Sequence, residues 1–98
     1  MSNLYKKDDQ ELIFMYRKGN NQAFQTLITK YNALVFKVSH DIVEDYYAAQ
    51  DISQEVFVKF YENLGEFAPP YNIKNWLCKV AKNLSINYLK KTGTNKGF

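Results

Sequence analysis

Residues 24–38 read FQTLITKYNALVFKV. Their large apolar side chains, Phe24, Leu27, Ile28, Tyr31, Leu34, Val35 and Val38, recur at steps of three, one, three, three, one and three. At about 3.6 residues per turn this spacing lines them along one side of a helix, whereas a strand would need strict alternation. The stretch therefore predicts a long helix packed on a core, running to about His40. Asn20 or Asn21 supplies a side-chain oxygen for its N-terminal cap.

The segments on either side obey the same period. Asp8 stands three residues before Glu11, the spacing of a capping box with Asp in place of Ser or Thr. Leu12, Ile13, Met15 and Tyr16 then form a short helix that ends near Gly19. Asp45 opens a third helix with an inward stripe of Ala49, Ile52, Val56, Phe60 and Leu64, closing at Gly65. Pro69 and Pro70 cannot extend it, because proline lacks the backbone donor and restrains the residue before it. A fourth helix is predicted from near Asn72, with Ile73, Trp76, Leu77, Val80, Ala81, Leu84 and Tyr88 on one face. Residues 92–98 contain Gly93 and Gly97 and read as a tail or the start of a linker. The expected fold class is all-α, a single compact bundle of about four helices formed by residues 1–91.

Composition narrows the functions. Ninety-eight residues make one domain with one modest core. Eight Tyr, seven Phe and one Trp against four Gly and two Pro argue against disorder and against a turn-rich β fold. A single cysteine, Cys78, excludes an internal disulfide. No apolar run approaches the roughly 18 to 20 residues of a membrane-spanning helix, and no leader pattern opens the chain, so a cytoplasmic protein without membrane contact is expected. His40 and Asp41 with Glu44, Asp45, Asp51 and Glu55 form the best metal constellation, but one histidine cannot complete the usual zinc spacings. Glu44 and Asp45 are explained as acids at a helix start, and His40 as a residue near a helix end. Cys78 has no histidine near it in sequence, and Gly-rich phosphate loops are missing. Neither an enzyme, a metal nor a cofactor is expected.

Charge is divided along the chain. Residues 1–66 hold seven Lys and Arg against ten Asp and Glu, while residues 67–98 hold six lysines and no acid. The basic part also carries Phe67, Tyr71, Trp76 and Tyr88 with Asn72, Asn75, Asn83 and Asn87, a mixture of cations, rings and amides suited to single-stranded nucleic acid. On the third helix, Asp51, Gln54, Glu55, Val58, Tyr61 and Glu62 gather opposite the buried stripe, so two apolar residues lie among acids, as on a docking face. A plain solvated face is the alternative. On the fourth helix, Asn75, Lys79, Lys82, Asn83, Ile86 and Lys90 face away from the core, where lysines would neutralise phosphates. The loop from Glu66 to Asn72 places Phe67 and Tyr71 where they can hold an unstacked base between rings. The competing reading makes Phe67, Tyr71 and Trp76 plugs of the core, and Trp76 lies on the inward stripe.

Asp51 to Phe57 reads DISQEVF, and Asn75 to Leu89 reads NWLCKVAKNLSINYL. Together these resemble region 2 of bacterial sigma factors of the extracytoplasmic-function (ECF) group. Asp9 to Tyr31, DQELIFMYRKGNNQAFQTLITKY, resembles the opening helices of the same family. The resemblance implies a transcription initiation domain that docks on the clamp helices of the largest subunit of core RNA polymerase and recognises and helps melt the minus-ten promoter element. It assigns Asp51, Gln54 and Glu55 to the polymerase contact, on the face that also presents Val58 and Tyr61. It assigns Phe67, Tyr71 and Asn72 to a cradle for a base flipped from the non-template strand, and Lys74, Asn75, Lys79, Lys82 and Asn83 to promoter DNA. An anti-sigma factor is implied as a regulatory partner. The sequence departs from the family in having Leu77 beside a single Trp76 where housekeeping relatives carry two tryptophans, in the loop PPYN, and in Asn87 where Asp is frequent. Family members normally continue to a second helical domain that reads the minus-thirty-five element, so a fragment is expected here, with an unusual single-domain member as the alternative. A helical protein-interaction module that never touches nucleic acid is the rival reading.

Overall fold

A computed structural model of the chain describes residues 4–64 and 72–93. A single 3-10 turn, Leu4–Lys6, precedes α1 (Asp9–Arg17), α2 (Asn21–Val43), α3 (Tyr46–Glu62) and α4 (Ile73–Thr92). The architecture is all-α, as expected. Helix α2 is the axis of the bundle, since α1, α3 and α4 all pack on it and α3 and α4 also pack on each other.

Each helix starts on a residue that the sequence marks. The Asp8 carboxylate accepts from the Glu11 amide at 2.9 Å, Asn20 from Gln22 at 3.0 Å, Asp45 from Ala48 at 3.0 Å and Asn72 from Asn75 at 2.9 Å. These caps satisfy amides that the first helical turn leaves without partners. The ends are less legible. Helix α2 runs three residues past His40 to Val43, because Ile42 and Val43 carry the apolar side onward and Lys37 and Asp41 pair across one turn at 2.9 Å. It stops at Glu44, whose φ of 57° is left-handed. Helix α3 ends at Glu62, short of Gly65, where Asn63 folds its amide back onto the Lys59 carbonyl at 2.7 Å. Helix α4 takes in Thr92 and is capped by the left-handed Gly93. Gly65, Pro69, Pro70 and residues 94–98 lie outside the described residues.

The core matches the expected stripes and widens them. Leu12, Ile13, Leu27, Val35, Val56, Phe60, Ile73, Leu77 and Ala81 are all but inaccessible. Phe60 stacks on Phe24 at 5.6 Å and meets Trp76 at 6.1 Å, so Trp76 is indeed a core side chain, half-covered at the α3–α4 junction. Leu34 is less buried than its place on the stripe suggested, and the innermost line of α2 runs instead through Ala23, Leu27, Val35, Ser39 and Val43. Helix α3 is covered on both flanks, by α2 and by α4, and therefore buries Ala48, Ser53 and Phe57 besides the expected residues.

Candidate functional site

Helix α3 exposes all six residues of the proposed docking face: Asp51, Gln54, Glu55, Val58, Tyr61 and Glu62. The face is not uniform. Gln54, Val58 and Tyr61 line a groove of about 750 Å³ against α2, whose side contributes Phe24, Ile28 and Phe36. Asp51 and Glu55 lean the other way, into a smaller groove of about 240 Å³ that α4 closes with Leu84, Asn87, Tyr88 and Lys91. The carboxylates thus form a ridge between a neutral groove and a mixed one. Tyr61 is held in place although half-exposed: its ring meets Phe24 at 5.6 Å and Tyr16 at 6.3 Å, both edge-on. A hydrogen bond shared with Tyr61, with burial second, holds the Tyr16 phenol above its ordinary pKa. Asp51, Glu55 and Glu62 make no salt bridge among the described residues, so their charge is free for a partner.

Helix α4 turns Asn75, Lys79, Lys82 and Asn83 outward, with exposed Ile86 continuing the strip. At about 100° per residue these five fall within one arc of the helix, so the structure brings them together. Lys79 and Lys82 carry no ion pair among the described residues. Lys74 stands apart. It lines a groove of about 350 Å³ with Asn72, Tyr31 and the carboxylate-bearing Asp8 and Asp9 at the start of α1. Asp9 is itself engaged there, accepting from Lys30 at 2.8 Å and from the Tyr31 hydroxyl. Asn72 uses its side-chain oxygen on the α4 cap, which leaves its NH2 group for anything outside.

Phe67 and Tyr71 lie outside the described residues, but both anchors of their loop are defined. Leu64 is buried, and its carbonyl accepts from the Arg17 guanidinium at 2.5 Å, tying the loop's first anchor to the end of α1. Asn72 fixes the second anchor through its cap. His40 stacks on Phe36 at 5.6 Å. Among the described residues no three His, Cys, Asp or Glu gather where they could hold a metal, and no helix is long and apolar enough to cross a membrane.

Residues 27–94 match the family model described as Sigma-70 region 2. The chain belongs to the sigma-70 region 2 family. It is similar to the RNA polymerase sigma-H factor of Pseudomonas aeruginosa, 33% identical over 90 residues that cover 92% of this chain and 47% of that protein. It is also similar to the ECF RNA polymerase sigma-E factor of Escherichia coli, 32% identical over 85 residues, 87% of this chain and 44% of the relative. With the ECF sigma factor SigW of Bacillus subtilis it shares 28% identity over 75 residues, 76% of this chain and 40% of SigW. The region 2 chain thus spans less than half the length of these curated relatives. Among solved structures it resembles an engineered region 2 of sigmaE in complex with GTAAAA, with a TM-score of 0.79, 30% identity and full coverage of both chains. The sequence identified the exposed faces of α3 and α4 in this region 2 chain but missed the contributions of α2 to the groove. Phe24 and Ile28 read as core because their stripe is apolar, and only packing shows that they floor an open surface.

Proposed function

We propose that this chain is a transcription initiation domain that docks on core RNA polymerase through α3 and engages the minus-ten promoter element, as unpaired non-template strand, through α4 and the loop before it. The observation that carries the reading is the uncommitted basic strip of α4, Asn75, Lys79, Lys82 and Asn83, in a stretch of 32 residues without a single carboxylate. The solved region 2 named with GTAAAA supports it.

Each lysine that meets a phosphate releases condensed counterions, so affinity is salt-dependent and nearly blind to sequence. Base selection then belongs to the loop, where Phe67 and Tyr71 stack on an extruded base and the Asn72 NH2 group donates to its edge. Opening a promoter costs on the order of 1.4 kcal/mol per stacking step, and captured bases offset part of it. The acidic ridge of Asp51 and Glu55 meets cations on the clamp helices of the largest polymerase subunit. An anti-sigma protein that covers α3 or α4 silences the domain. The place of work is the cytoplasm, where promoter DNA lies.

Fluorescence anisotropy of a labelled single strand containing GTAAAA tests the DNA half. Wild-type affinity falls with salt, and Lys79→Ala or Lys82→Ala each flattens the log–log slope by about 0.7, the value for one phosphate contact on a single strand. A folded wild type that ignores the strand at low salt leaves the helical interaction module as the better description.

A further inference from the structure

Among the described residues Ile86 is the one large apolar side chain that α4 leaves exposed, at 44% of its surface. It stands nine residues from the buried Leu77, which at about 100° per residue puts it half a turn away, on the side of the helix opposite the core. Single exposed apolar residues are ordinary; what sets Ile86 apart is its place among its neighbours. Asn75, Lys79, Lys82, Asn83 and Lys90 are all exposed on the same side. They spread over an arc of roughly 100°, and Ile86 falls close to the middle of it. Lys82 and Lys90 flank it one turn before and one turn after, about 6 Å along the axis in each direction. A hydrocarbon thus occupies the centre of the basic strip.

The chemistry of a nucleic acid limits what such a residue can touch. Lysines meet phosphates and amides meet base edges, but an aliphatic side chain neither donates nor accepts, so it gains only by covering apolar surface. The faces of unpaired bases are matched by aromatic rings, and the sugar is the same at every position. The C5-methyl group of thymine is a compact hydrocarbon on the base edge, where apolar side chains meet it. The branched Cβ of Ile86 holds it near one χ1 rotamer on a helix, so its methyl groups are presented in a fixed direction. We propose that Ile86 is a specificity-determining residue, which packs on the C5-methyl group of a thymine whose strand is held by the lysines on either side. The proposal rests on the DNA-binding reading above and adds base selection to α4, which the lysines alone do not supply.

Fluorescence anisotropy compares a labelled single strand carrying GTAAAA and no other thymine with the same strand in which deoxyuridine replaces that thymine, so that the two differ by one methyl group. Wild type binds the thymine strand about fourfold more tightly, the share of one buried methyl group. Ile86→Ala, which fills an exposed helix position with the best helix former, brings the ratio to about one. Ile86→Val, which keeps the branch, leaves it between those values. Lys82→Ala weakens both strands alike and keeps the ratio at about fourfold, because a phosphate contact does not sense the methyl group. Helicity and melting temperature are checked in every variant. A wild type that binds both strands equally, with its salt dependence intact, puts Ile86 on sugar or in solvent; the methyl contact falls and the DNA reading stands. A ratio that survives Ile86→Ala assigns the methyl group to another residue and equally overturns the proposal. A folded wild type that binds neither strand removes both readings.

Discussion

Ser85 is fully buried in α4, and its hydroxyl finds no hydrogen-bond partner among the described residues. Ser39 and Ser53 are as buried but donate to the Val35 and Ala49 carbonyls one turn back, at 3.0 and 2.9 Å, which satisfies them at no cost to the packing. Burying a polar group without a partner costs about 1–3 kcal/mol. Ser85→Ala is therefore stabilising, by roughly 1 kcal/mol, which for a domain of this size raises the melting temperature by about 4–8 °C. Ser39→Ala, which removes a satisfied hydroxyl, gives no comparable gain. Tyr31, like Tyr16, contributes to the alkaline pH dependence. Burial first, and then its hydrogen bond to Asp9, raise its pKa above the ordinary value of 10.0. The fold thus favours the neutral phenol; the contribution is complete below about pH 10 and fades as the pH climbs further toward the raised folded value. Urea unfolding at a series of alkaline pH values shows this as a slope that is shallower in Tyr31→Phe.

Helix starts were legible because each cap is a local matter: Asp8, Asn20, Asp45 and Asn72 bind amides two or three residues on, and nothing distant competes. The ends of α2 and α3 were not. Glu44 closes α2 in the left-handed region that glycine favours, so no residue type announced the stop at Val43. A non-glycine residue there costs about 1–2 kcal/mol of backbone strain. Part of that is recovered in Glu44→Gly, which is predicted to gain up to about 1 kcal/mol in thermal unfolding, against a loss for Glu44→Val. The faces of α3 and α4 were legible to the extent that helical period decides exposure. Asp51, Glu55, Lys79 and Lys82 are exposed as period requires. Period alone could not show that Lys74 shares a groove with Asp8 and Asp9, nor that Gln54, Val58 and Tyr61 share one with α2, since both depend on where a neighbouring helix lies.

At the scale of the molecule, α2 holds the other three helices and leaves two chemically opposite surfaces on adjacent helices, carboxylates on α3 and lysines on α4. Because Leu77 and Ala81 of α4 pack in the same core as Val56 and Phe60 of α3, the two surfaces are held on one framework, and under the proposed function a polymerase that grips α3 would present α4 to the promoter at a fixed orientation. The isolated domain is expected to bind DNA feebly for the same reason, since six lysines are few by nucleic-acid standards. The most direct test of the central claim is the affinity of this chain for bacterial core RNA polymerase, measured beside Asp51→Lys and Glu55→Lys with helicity verified in each. The account predicts saturable binding by wild type and a loss of at least tenfold in both charge reversals; a folded wild type that does not bind, or charge reversals that bind as well as it does, would contradict it.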